Sequence, residues 1–278
     1  GELDVLLARA TELKENPLAS DALAGRTVAL IFQAASTRTR VSFEAGIHEL
    51  AGHPMVLRSD EMQVSRGESI RDSAYVLSRH VAAIGIRTGP DALVAELAEH
   101  ATVPVFNMLT AEHHPCQALA DLLTLRETFG EVAGLKLAYV GDGNNVARSL
   151  AIIGGLAGLE VRVAAPPGLQ LDPVAGAILT DDPRAAAEGA DALYTDVWMS
   201  MSDDPATVTD RRRALAPYQL NDELLDLAAS HAIALHCLPA HPGEEITASV
   251  LYGTRQRIWD QAENRRHAQK ALLELLFG

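Results

Sequence analysis

Ser36-Thr37-Arg38-Thr39-Arg40 gathers three hydroxyls and two guanidinium groups into five consecutive positions. Hydroxyls donate to anionic oxygens, and a guanidinium presents a planar fork that engages two of them, so the chemistry on offer is capture of a phosphate or carboxylate. The bland reading is a solvated helix start that carries two arginines. Further along, Arg87 closes the apolar run Val81 to Ile86, and His114 and Gln117 flank Pro115-Cys116. An imidazole at a strand-to-helix crossing can donate to an oxyanion; a buried structural histidine and a surface cation are the plainer readings of His114 and Arg87. Asn144-Asn145 follow Gly141-Asp142-Gly143, and Asp196 precedes Val197-Trp198-Met199-Ser200-Met201. The asparagine pair offers donors and acceptors for an amino-acid headgroup, and a carboxylate beside hydroxyl and thioether side chains suits an ammonium group; Asp196 also reads as a loop cap.

Two other chemistries have weaker patterns behind them. His113, His114 and Cys116, with His236 and Cys237, are metal-ligand types, yet no CxxC, HExxH or matched zinc spacing joins them. The glycines after Val140 resemble a dinucleotide fingerprint but fail at its third glycine, where Val146 stands. No metal and no cofactor is therefore expected.

These residues need elements to hold them. Thr27 to Phe32 reads as a buried parallel strand, and Phe43, Ile47, Leu50 and Ala51 recur at helical spacing, with Ser36 at the N-cap and Gly52 as the stop. Strands at Met55 to Arg58, Val81 to Ile86 and Val103 to Asn107 alternate with helices over Ser69 to His80, over Asp91 to Glu99 and from Pro115 onward. The pattern restarts near Glu131 to Gly134 with strands at Leu135 to Val140, Val161 to Ala165, Asp191 to Thr195 and Ala232 to His236. A closing helix carries Ala268, Ala271, Leu272 and Leu275 on one face. The expected fold is α/β with two domains, residues 1–130 and 131–261, each a mainly parallel sheet flanked by helices. The helix over 262–278 packs back on the N-terminal domain. In such sheets ligands sit beyond the carboxyl ends of the strands, where Ser36 and Arg87 would meet.

The 278 residues carry a formal charge of −14, and no basic tract exceeds Arg211-Arg212-Arg213, which argues against nucleic acid or an anionic membrane as partner. A basic pocket in an acidic chain still suits a small anionic substrate. Two cysteines are too few for a disulfide framework, no apolar run approaches a membrane span, and the first residues lack signal-peptide character, so the cytoplasm is the expected compartment.

In order, the Ser36 stretch, His114-Pro115-Cys116-Gln117, Asp196-Val197-Trp198-Met199-Ser200-Met201 and His236-Cys237-Leu238-Pro239, with Ala262-Glu263-Asn264-Arg265 in the last helix, resemble the aspartate/ornithine carbamoyltransferase family on its ornithine branch. The resemblance covers nearly the whole chain. It implies transfer of the carbamoyl group of carbamoyl phosphate to the δ-amine of L-ornithine, giving L-citrulline and phosphate in arginine biosynthesis. It makes the first domain the carbamoyl phosphate domain and the second the ornithine domain. It assigns Ser36, Thr37, Arg38 and Thr39 to the phosphate, and Arg87, His114, Gln117 and Arg255 to the carbamoyl group, with Cys237 and Leu238 beside it. Arg87, His114, Cys237 and Arg255 are the implied catalytic set. Gln63 would reach a neighbouring subunit's site, which implies a homotrimer, and Asn145, Asp196, Ser200 and Met201 would hold the headgroup of ornithine. A cis peptide is implied at Leu238-Pro239. The chain departs from the family pattern at Gln33-Ala34-Ala35, at Ser65 and at Ser202, where a glycine is usual; a Cβ at Ser202 restricts positive φ in the loop expected to close over ornithine. The alternatives are a carbamoyltransferase for another amine and a non-catalytic relative that only binds carbamoyl phosphate.

Overall fold

The computed structural model describes residues 1–63, 67–174, 176–199 and 205–277. The chain divides into two compact units, one of residues 1–123 with 263–278 and one of residues 124–262.

In the first unit, β1 (Thr27–Phe32), β2 (His53–Arg58), β3 (Ala83–Arg87) and β4 (Val105–Leu109) form a parallel sheet in the order β2-β1-β3-β4. The period-two alternation of β1 drives the layering. Val28, Leu30 and Phe32 pack against Phe43, Ile47 and Leu50 of the chain around α2 (Thr37–Glu49). Ala29 and Ile31 face the opposite way, toward Ala74 of α3 (Ile70–Leu77) and Leu97 of α4 (Asp91–His100). Burial on both faces explains why the strand reads as an unbroken apolar run. The chain leaves β1 to one side for β2 and returns on the other for β3, so a switch point lies between β1 and β3. Phe32 and Arg87 are partners there, which puts the Ser36 loop and Arg87 on one edge.

The end of α2 differs from the sequence expectation. The helix stops at Glu49 with Leu50 as its cap, and Ala51, not Gly52, takes the left-handed conformation at φ 62°. Gly52 answers a packing need, because a Cβ there would lie 2.7 Å from Cβ of Leu23.

The closing helix α11 (Ile258–Phe277) contributes its second part to this unit. Ala268, Ala271 and Leu273 are buried, whereas Leu275, expected on the apolar face, is 49% exposed. The fully buried Lys270 ties the helix down, donating to Glu49 at 2.7 Å, to the Pro17 carbonyl at 2.5 Å and to the Leu13 carbonyl at 3.3 Å, the latter two at the end of α1 (Glu2–Glu15). Its three protons thus have three acceptors. Arg266 also pairs with Glu49 at 3.2 Å, so loss of Lys270 would leave that carboxylate partly compensated. Lys270→Ala is expected to cost about 3 kcal/mol in urea unfolding, and Lys270→Met, which keeps the volume, distinctly less.

In the second unit, β5 (Lys136–Val140), β6 (Glu160–Ala164), β7 (Ala177–Thr180), β8 (Ala192–Thr195) and β9 (Ile233–His236) pair in parallel in the order β7-β6-β5-β8-β9. Its switch point lies between β5 and β8. Beyond the ends of these strands stand the Gly141 to Asn145 loop and Asp196, and the Thr195 hydroxyl donates to the Val140 carbonyl at 2.7 Å, tying the two ends together. Ala138, Val140, Leu193 and Ala234 meet Ala186 and Ala187 of α7 (Pro183–Ala187) and Leu224 and Leu225 of α9 (Asp222–Leu227). Among the described residues, no helix is long and apolar enough to cross a membrane.

Candidate functional site

At the first switch point, Ser36 is the N-cap of α2 with extended backbone, and its side chain makes no capping hydrogen bond. The first turn of α2 contains no acidic residue. Exposed amide N–H groups, the positive end of the helix dipole and nearby hydroxyls form an anion-binding corner. Ser36 and Arg38 are half-buried and Thr37 exposed, while Thr39 is buried. Arg40 does not join them; it forms a surface pair with Glu44 one turn on, at 3.0 Å.

Behind this corner lies a buried polar cluster organised by Arg265 of α11. Its guanidinium donates to Thr39 Oγ1 at 3.0 Å, to Gln117 Oε1 at 3.0 Å and to His114 Nε2 at 3.3 Å. Arg87 also donates to Thr39 Oγ1, at 3.4 Å. His114 stands directly before α5 (Pro115–Phe129), and its carbonyl accepts from the amides of Gln117 and Ala118, closing the first turn. The Gln117 amide nitrogen donates to Asp121 at 2.9 Å, so the side-chain oxygen faces Arg265. Burial, then the positive charges of Arg265 and Arg87, hold the His114 imidazole well below its usual pKa, so the ring is neutral. A guanidinium cannot accept a proton. With Nε2 accepting from Arg265, the ring proton sits on Nδ1, and that is the hydrogen His114 can offer an oxyanion.

Arg265 was not among the candidate residues. Arg255, assigned to the carbamoyl group by resemblance, belongs to the second unit. Its guanidinium takes the carbonyls of Leu225, Ala229 and Ala232 and pairs with Asp226, a structural use that closes the end of α9. Two signals pointed to Arg265: its place in the Ala262-Glu263-Asn264-Arg265 segment, and its phase, three residues before Ala268 and seven before Leu272, in register with the apolar stripe.

At the second switch point, Asn144 caps α6 (Asn145–Leu156), its Oδ1 accepting from the amides of Val146 and Ala147 at 2.9 and 3.1 Å. Its Nδ2 donates to Asp196 Oδ2 at 2.8 Å. The other carboxylate oxygen of the buried Asp196 accepts from the Val197 amide and from the Cys237 thiol, both at 2.8 Å. Asn145 opens the helix one residue further on. Gly143 is required by the chain's own close approach, since a Cβ there would lie 2.3 Å from the Leu171 amide nitrogen. Leu238-Pro239 is cis, as the resemblance implied, and Leu238 has φ 59°.

Gln63 is exposed in the loop after β2. Ser200 and Met201, with Ser65 and Ser202, lie outside the described residues.

His113 pairs with Asp91 at 2.6 Å, and burial pushes the Cys116 thiol up to about 11 in the core beside Phe43 and Met108. Ligand-type atoms of Asp196, His236 and Cys237 lie within 4.8 Å of one another. His236, however, accepts from the Leu238 amide at Nδ1 and donates from Nε2 to the buried Glu245, so both nitrogens are committed to the fold.

Each of the two parallel α/β units carries a polar cluster at the switch point of its sheet, and comparison with known proteins identifies the family. Residues 1–127 match the carbamoyl-phosphate-binding domain of aspartate/ornithine carbamoyltransferases, and residues 133–276 match their aspartate/ornithine-binding domain. The chain belongs to this family. It is 54% identical over 289 aligned positions to the ornithine carbamoyltransferase of Acidothermus cellulolyticus, covering 99% of this chain and 92% of that protein. It is 50% identical to the ornithine carbamoyltransferase of Halalkalibacterium halodurans, covering 99% and 91%. The crystal structure of ornithine carbamoyltransferase from Thermus thermophilus superposes with a TM-score of 0.93 at 46% identity, over 100% of this chain and 95% of that one.

Proposed function

We infer that the protein is a transferase that moves the carbamoyl group of carbamoyl phosphate to the δ-amine of L-ornithine, releasing L-citrulline and phosphate. The observation that carries this reading is the pair of clusters at the two switch points, in a chain half identical to ornithine carbamoyltransferases over its whole length.

The first unit is the carbamoyl phosphate domain and the second the ornithine domain. Ser36, Thr37, Arg38 and Thr39, at the start of α2, take the phosphate. Arg87, His114 and Gln117, braced by Arg265, take the carbamoyl group. The His114 Nδ1–H donates to the carbamoyl oxygen as the neutral δ-amine attacks the carbonyl carbon; the tetrahedral oxyanion then collapses, the C–O bond to phosphate breaks, and the proton lost by the attacking nitrogen leaves on the released phosphate. Gln117 Oε1 accepts from the carbamoyl NH2. Orientation and preorganised charge do the catalytic work, since donors fixed in a buried cluster need not reorganise as charge develops. Asn145, Asp196, Ser200 and Met201 bind the amino-acid end of ornithine, and Cys237 and Leu238 lie near the reacting groups. The enzyme acts as a homotrimer in the cytoplasm, Gln63 of one subunit serving the next, and feeds arginine biosynthesis. Cys116 and Cys237, which are not joined in a disulfide, favour a reducing compartment.

An acceptor panel tests the reading. L-ornithine is expected to exceed putrescine and an Nα-acylated ornithine in kcat/KM by about a hundredfold or more, because Asn145 and Asp196 are built for a free amino-acid headgroup. Equal use of putrescine would remove both residues from that role.

A further inference from the structure

We propose that Asn144 is a positioning residue for the amine substrate, holding the Asp196 carboxylate in the one rotation that turns Oδ1 to the Cys237 thiol. The proposal rests on reading Asp196 as part of the ornithine site, and it assigns Asn144 a duty beyond capping α6.

The orientation of the Asn144 amide is determined from both ends. Its oxygen accepts from the backbone amides of Val146 and Ala147 and from the Tyr139 hydroxyl at 3.2 Å, donors that leave no room for an NH2 group in the same place. The nitrogen must then point the other way, where it meets Asp196 Oδ2 at 2.8 Å. Burial, followed by the charges of Asp196 and Asp142, pushes the Tyr139 phenol well up, so the hydroxyl keeps its proton and remains a donor to Asn144.

Asp196 is likewise constrained. Oδ2 is held by Asn144, while Oδ1 receives the Val197 amide and Cys237 Sγ. A carboxylate offers about four acceptor positions. Among the described residues three are filled, which leaves a lone pair whose direction is set by Asn144. The bond also joins the loop after β5 to the residue after β8, across the switch point, one step beyond the Thr195 to Val140 link.

Capping and positioning separate by substitution. Asn144→Asp keeps a strong cap acceptor and favours the helix dipole, but places a second carboxylate oxygen against Asp196 Oδ2. The two must share a proton or move apart. Asn144→Ser keeps a cap acceptor without the amide donor, and Asn144→Ala removes both. With the full-length enzyme, KM for ornithine is expected to rise about ten- to a hundredfold in the Asp and Ser variants, while KM for carbamoyl phosphate stays within about twofold. The melting temperature of the Ser variant should stay near that of the unaltered enzyme, and that of the Ala variant should fall.

An ornithine KM within twofold of the unaltered enzyme in both Asp and Ser variants would overturn the proposal. So would a parallel rise of both KM values with lowered melting temperatures in all three, which would assign Asn144 to the fold alone. Failure of the unaltered enzyme to form citrulline would instead remove the ornithine reading on which the proposal stands.

Discussion

Replacing Arg265 by alanine is expected to lower kcat/KM for carbamoyl phosphate by about two to three orders of magnitude, with a smaller effect on KM for ornithine. One guanidinium, only 3% exposed, donates to His114, Gln117 and Thr39, so its removal leaves three buried acceptors without that donor. Hydrogen bonds to charged groups contribute about 1.5 to 3 kcal/mol each, and bonds sharing one hub do not add fully. A loss of about 3 to 4 kcal/mol follows, at about 1.4 kcal/mol per decade of rate. Arg265→Lys should recover less than tenfold, because an ammonium is a point charge and cannot span three partners as a planar fork does. The variant should also change the pH profile. Arg265 is, after burial, the largest cause holding the His114 pKa down, so without it the ring protonates at higher pH and the acid limb moves toward neutrality. Initial rates from pH 5 to 9 would show this. Activity within threefold of the unaltered enzyme and an unmoved limb would contradict a site organised by Arg265.

Asp196→Ala should act on the other substrate. It removes the buried acceptor of the Asn144 amide and the Cys237 thiol together with the carboxylate proposed for the ornithine ammonium. Truncating one partner of a buried, hydrogen-bonded charge pair costs about 2 to 5 kcal/mol, so kcat/KM for ornithine should drop by about thirty- to several-thousandfold. KM for carbamoyl phosphate should change little. Asp196→Asn keeps the shape and removes the charge, so an equal loss in both variants assigns the effect to charge. Steady-state kinetics with each substrate varied in turn decide the matter; a loss confined to carbamoyl phosphate would refute the assignment.

The layering was legible because β1 is apolar at every position after Thr27 and the helices around it are periodic, so a doubly covered parallel strand was the economical reading. The phosphate corner was legible for a similar reason: its hydroxyls and its cap position are contiguous in the chain. The brace behind it was not. Arg265 lies 151 residues from His114 and 226 from Thr39, and no local pattern says which distant groups a buried arginine will meet. Arg255 illustrates the converse, an arginine near a motif whose guanidinium is consumed by backbone carbonyls. Asn144 and Asn145 are adjacent and chemically identical, yet only tertiary structure separates them, one facing Asp196 and the next opening α6. The end of α2 failed the glycine rule because tight packing against Leu23 takes Gly52, and the turn falls to Ala51.

Carbamoyl transfer to the δ-amine of ornithine can be followed by the fate of a single labelled carbon. Carbamoyl phosphate labelled with 13C at its carbonyl is incubated with the enzyme and L-ornithine and followed by NMR. The label is expected in the ureido carbon of citrulline, with one phosphate released for each citrulline formed. Label found only in the products of spontaneous carbamoyl phosphate breakdown, with ornithine unchanged, would contradict it.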